Sequence, residues 1–84
     1  MFSAGEIREM IAERRSDAER GMRLATADRC RIAERMALSE ALVWLALAER
    51  TFAGGPSEHM LNVLSVGLWR HGGEIDWAIG RMVG

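Results

Sequence analysis

The chain contains no lysine and no tyrosine, and only one cysteine and one proline, among its 84 residues. Without lysine there is no phosphate-loop lysine, no Schiff-base amine and no lysine general base. Cys30 has no second thiol to pair with, which excludes an internal disulfide. A zinc set is equally short of ligands: His59 and His71 stand twelve residues apart and no second cysteine joins them. Long hydrophobic runs are missing as well. The longest, Ala41 to Ala48, is eight residues, against the roughly twenty that a membrane-spanning helix needs. The opening Met1-Phe2-Ser3-Ala4-Gly5-Glu6 lacks the basic and then apolar pattern of a secretory signal. These absences lead to the expectation of a soluble, cytoplasmic protein in which the lone thiol stays reduced, with no cofactor, no metal and no membrane. They also leave no plausible nucleophile–base pair, no Ser/His/Asp set and no glycine-rich phosphate loop, so a non-enzymatic role is expected.

The charged residues present are unevenly placed. Eleven arginines face twelve acids, for a net charge of −1, and so balanced a chain has little general affinity for nucleic acid. All-arginine usage fits GC-rich bacterial or phage coding. Residues 1–35 hold seven acids and eight arginines, whereas residues 36–84 hold five and three. A charged first segment is therefore followed by one rich in Leu, Val, Trp and Met.

Periodicity predicts an all-α fold, either a small helical hairpin or a three- to four-helix bundle forming a single domain over residues 1–84. The helices are expected over about 4–25, 28–52, 58–70 and 74–83, and the first two can also be read as one continuous rod. Ser3 and Glu6 have capping-box spacing. Behind them Ile7, Met10, Ile11, Ala18, Gly21, Met22 and Ala25 make one apolar stripe, flanked by the possible ion pairs Asp17–Arg20 and Glu19–Arg23. Gly21 weakens the helix, and Thr26 or Asp28 could cap a new one. The apolar phase carries on through Ile32, Met36, Val43 and Leu47, which predicts that these four belong to the same buried stripe as Ile7. A rod over residues 4–52 would run roughly 70 Å at about 1.5 Å per residue, so a break is preferred. Gly54-Gly55-Pro56-Ser57 reads as a firm stop and restart, with Ser57 as cap. Met60, Leu61, Val63, Leu64, Leu68 and Trp69 then cover more than half the next helix, predicting burial on several sides. Gly72-Gly73 is read as ending it, before a short helix with Ile75, Ala78, Ile79 and Met82 on one side.

One segment, Ile32-Ala33-Glu34-Arg35-Met36-Ala37-Leu38-Ser39-Glu40-Ala41-Leu42-Val43, resembles the core of a bacterial helix-turn-helix, whose usual pattern runs I-A-x-x-L-G-L-S-x-x-T-V. The resemblance covers about a dozen residues. It implies a helix crossing at Ala33, a turn at Ala37 where glycine is usual, and an apolar anchor at Val43. On that reading the chain would be a DNA-binding regulator built on residues 32–50. The recognition stretch departs from the pattern, because Ala41 to Ala48 offers base edges no polar side chain beyond the preceding Ser39 and Glu40.

Residues 36–84 include 26 apolar side chains among 49, more than a short bundle hides. The excess predicts a homodimer or an obligate partner protein, and hence a protein–protein interaction module: an adaptor, chaperone-like binder or inhibitor working through an apolar helical face. Candidate partner-binding residues are Trp77, Trp69, Trp44 and Met82, with Arg14 and Arg15 on the charged helix for an acidic partner. Trp44 and Trp69 also read as core fillers, whereas Trp77, on the side of the last helix away from Ile75 and Ile79, reads as an exposed anchor. His59 and His71 read as helix-terminal residues, and Cys30 as an ordinary thiol.

Overall fold

Three helices, packed against one another, account for the fold in the computed structural model, which describes residues 2–83. Met1 and Gly84, the ends of the domain expected over 1–84, lie outside the described residues. Helix α1 spans Ala4–Thr26, α2 Ile32–Ala53 and α3 Glu58–Val83.

Ser3 caps α1 as its sequence predicts: its Oγ accepts a hydrogen bond from the Glu6 N–H at 3.2 Å, satisfying a free helix-start amide, while among the described residues the reciprocal capping-box bond from the Ser3 N–H to the Glu6 carboxylate is not formed. Ile7, Ile11, Ala18, Gly21 and Ala25 are buried, so the predicted stripe is the core face. The break near residue 28 is a short turn. Asp28 Oδ1 accepts from the Cys30 N–H at 2.9 Å, so Asp28 orders the turn itself, and α2 begins behind Arg31 with no side-chain cap. The second turn also follows the sequence. Gly55 has φ of 78°, a region that favours glycine, and Ser57 Oγ accepts from the Met60 N–H at 3.2 Å.

After that turn α3 departs from expectation. Gly72 and Gly73 do not end a helix; α3 runs uninterrupted for 26 residues, so the two helices expected over 58–70 and 74–83 are one. Gly72 is buried where α1 crosses, and a Cβ there would lie 3.2 Å from the Arg14 guanidinium. That glycine gives a side chain of α1 room to lie across the α3 backbone, and the packing outweighs its intrinsic helix cost of about 1 kcal/mol.

The three helices run up, down and up. Their length sets the long dimension of a body 41 × 20 × 16 Å. Ile7, Leu38, Leu45 and Ile75 are the largest fully buried side chains, each stabilising by about 1.5–3 kcal/mol. Between them lie Ala18, Ala25, Ala41, Ala48 and Ala78, almost wholly buried. Small residues on all three helices let the axes approach closely, and the core is correspondingly thin.

The buried face of α2 is not the predicted one. Leu38, Ala41, Leu45 and Ala48 point inward with Glu34, whereas Ile32, Met36, Val43 and Leu47 are 53 to 68% exposed. The turn at residues 27–31 resets the helical phase, so the stripe begun by Ile7 does not continue into the core. Nor is there a turn within α2: residues 32 to 53 form one helix through Ala37, and the break that a helix-turn-helix requires is absent from this segment.

Candidate protein-interaction face

The four exposed residues of α2 lie on one line, because positions 32, 36, 43 and 47 return to nearly the same angle at 3.6 residues per turn. That line is opposite the Leu38–Ala41–Leu45–Ala48 core face. Beside it α3 contributes Val63, Val66 and Trp77, 46 to 67% exposed. The antiparallel register is fixed at one end by Glu34 and Arg81, whose Oε1 and Nε lie 3.0 Å apart. In the middle it is fixed by Trp44, which stacks on His71 with ring centroids 4.9 Å apart. This register sets Trp77 beside Met36, where an open groove is lined by Ile32, Ala33, Met36, Glu40, Glu74 and Trp77. It sets Val63 and Val66 near the Val43–Leu47 end.

Trp77 is held from below. The Arg81 guanidinium sits 5.1 Å from its ring centroid, a cation–π contact, and the same guanidinium donates to Glu34. The Glu34 side chain is 5% exposed, and the Arg31 guanidinium lies 3.6 Å from the same Oε1. Its carboxyl is held below the ordinary value first by a hydrogen bond from its own backbone N–H and then by Arg81, against the opposing effect of burial. A carboxylate on the inner face of α2 thus anchors an arginine on α3 that supports an exposed indole.

The floor of the α2–α3 seam is built around Trp44. A Cβ on Gly67 would fall 2.0 Å from Trp44 Cζ2, so the indole occupies space that only glycine leaves open. His71, expected at a helix end, lies in the middle of α3 and stacks on this indole. Its Nδ1 is 3.6 Å from Glu74 Oε1, and neither His71 Nδ1 nor Glu74 Oε2 has a hydrogen-bond partner among the described residues.

The predicted partner-binding residues are not brought together. Trp77 is half exposed on the α2–α3 face, as an anchor would be. Trp69, expected in the core, is 83% exposed and lies on the α1–α3 side with Phe2, Met10 and Leu68. Its neighbour in that prediction, Val63, is also exposed. Trp44 is partly buried in the seam, and Met82 packs against the core. Arg14 bonds to Asp76 at 2.9 Å and lies 3.6 Å from Asp17. Arg15 bonds to Glu49 and, at 3.0 Å, to Glu19. Both arginines therefore hold α1 to its neighbours. The Asp17–Arg20 pair forms at 3.2 Å, whereas Glu19 turns to Arg15 in place of Arg23.

The residues missed as a surface are Ile32, Met36, Val43, Leu47, Val63 and Val66. A signal for the α2 set was present: Leu38, Ala41, Leu45 and Ala48 repeat at helical spacing on the other side, and alanines mark the side of close packing. No described helix is long and apolar enough to cross a membrane. Comparison of the chain with protein-family models, curated proteins and solved structures gave no match.

Proposed function

We propose that this chain is a protein-binding module, acting by presenting the outer face of α2 and α3 to another protein and performing no catalysis. The observation that carries the reading is the exposed α2 stripe, four large aliphatic side chains at least half uncovered and directly opposite the core. Scattered exposed apolar residues are ordinary on a protein surface, whereas a contiguous apolar face marks an interaction site. Trp77, positioned by Arg81, supplies the aromatic anchor around which binding energy concentrates. Adaptor, chaperone-like and inhibitory roles all use such a face.

Site-specific photo-cross-linking in the native host tests the reading. A photoreactive residue at Met36 or Val66 should give discrete protein adducts, and one at Ser16 or Arg23, on the outer side of α1, should not. Equal adduct patterns from all four positions would refute a binding role for this face.

A further inference from the structure

Resting on that reading, we infer that the protein occupying this face is a second copy of the same chain, with α2 packed antiparallel on α2 of its partner. The exposed stripe is symmetric along its own length. Ile32, Met36, Val43 and Leu47 are separated by four, seven and four residues, so the pattern reads the same in both directions about a midpoint between Ser39 and Glu40. A two-fold dimer interface requires this property, because residue i must meet j while j meets i. An axis at that midpoint pairs Ile32 with Leu47 and Met36 with Val43, twice each. It leaves Ser39, small and exposed, at the point of closest approach.

Area and charge favour the same occupant. An aromatic side chain can bury about 150–250 Å² and aliphatic ones somewhat less, so the seven residues, 46 to 68% exposed, present on the order of 700 Å² together. A standard interface takes roughly 800 Å² from each partner. Charges around the face are mixed, with Arg35, Arg50 and Arg70 against Glu40 and Glu74, and a net charge of −1 opposes self-association only weakly. The axis also brings Glu40 close to its own copy and Arg50 toward Arg29 of the other copy, like charges that oppose the pairing.

Sedimentation equilibrium of the full chain is the first test: a dimer is expected at micromolar concentration, and a monomer overturns the inference. Met36→Asp and Val43→Asp each place two carboxylates in the paired face, so the dissociation constant should rise at least about 100-fold. Both positions are exposed, and helix content by circular dichroism should stay unchanged. Unchanged dimerisation in these variants overturns the proposed face. Glu40→Gln should tighten the dimer by about two-fold, and loosening would contradict the register.

Orientation is read by thiol cross-linking in a Cys30→Ser background. Ser39→Cys should cross-link to itself. Ile32→Cys and Leu47→Cys should cross-link when mixed and not alone; efficient cross-linking of Ile32→Cys alone would mean parallel packing and overturn the arrangement. Failure here is distinct from failure of the binding reading. A monomeric chain whose Met36 and Val66 positions still give specific adducts keeps a binding face with a different occupant, whereas a monomer without such adducts loses both.

Discussion

Gly67 and Gly73 stand six residues apart in the same helix, and the structure assigns opposite signs to their replacement by alanine. In a helix interior alanine is more favourable than glycine by about 0.8–1 kcal/mol. At Gly73 a Cβ meets nothing within 4 Å, so Gly73→Ala should be more stable by nearly that amount. At Gly67 the Cβ would sit 2.0, 2.6 and 2.8 Å from three atoms of the Trp44 ring. No relaxation of a few tenths of an ångström removes such an overlap, and the indole must leave the seam. It then gives up part of a large side chain's burial, about 1.5–3 kcal/mol when complete, and the His71 stack, about 0.5–1.5 kcal/mol. Set against the propensity gain, Gly67→Ala should be less stable by about 1–3 kcal/mol. For a chain of this size each kcal/mol moves the melting temperature by about 4–8 °C. Thermal melts by circular dichroism at matched protein concentration should therefore place the two variants on opposite sides of the parent. The cause is checked by a double-mutant cycle: with Trp44→Ala in place, Gly67→Ala should become stabilising. A Gly67→Ala chain as stable as the parent, or a penalty that persists without the indole, would show that Trp44 does not fill that space.

Other perturbations test other parts of the structure. Val43 and Leu45 stand two positions apart on opposite sides of α2, so in solution dilute enough to keep the chain monomeric Val43→Glu should change folding stability by no more than about 0.5 kcal/mol, while Leu45→Ala should cost about 2–5 kcal/mol; urea titrations in which Val43→Glu proves the more damaging would reverse the assigned phase. Acid should expose the Glu34 anchor. Its carboxyl is held below the ordinary value in the folded chain, so the unfolded chain takes up the proton first as pH falls. The stabilisation is complete above the unfolded value of about 4.3 and is lost as pH drops through the lower folded value. Glu34→Gln should accordingly flatten the decline of the urea midpoint between neutral and strongly acid pH, and a decline as steep as the parent's would remove Glu34 from the acid response.

Local signals in the sequence carried through where the chain itself supplies both partners. The Ser3 cap and the Gly54–Ser57 turn involve residues within a few positions of each other, and the α1 stripe is amphipathic enough to have only one inward side. Signals that depend on another helix did not carry through. Gly72 looks like punctuation until Arg14, 58 positions away, is laid across it. Trp69 and Val63 look like core until α1 and α2 take the remaining sides of α3. Trp77 was legible as exposed because its helix already had a better inward side in Ile75, Ala78 and Ile79.

Helix α2 shows why periodicity alone could not choose its inner face. It carries two apolar lines, one of Ile32, Met36, Val43 and Leu47 and one of Leu38, Ala41, Leu45 and Ala48; Glu34 shares the side of the second, and Arg50 returns to the angle of Ile32 in the first. Side-chain size, with the acid on the second side, favours burying the first line, which is the wrong one. Two physical facts reverse that choice. Glu34 brings no unpaired charge inward, because Arg81 and Arg31 meet it, and a buried charge is costly chiefly when it is left alone. The second line also alternates leucine with alanine against Ala18, Gly21 and Ala25 of α1 and Ala78 of α3, allowing interaxial distances near the short end of the roughly 8–10 Å range. A Cβ on Gly21 would already lie 3.1 Å from Ile79 and 3.2 Å from Leu38, so that junction has no room for a bulkier line. The side chains of Ile32, Met36, Val43 and Leu47 are thus kept outside by the closeness of the other helices, and an apolar line excluded from its own core on grounds of size is available to another surface.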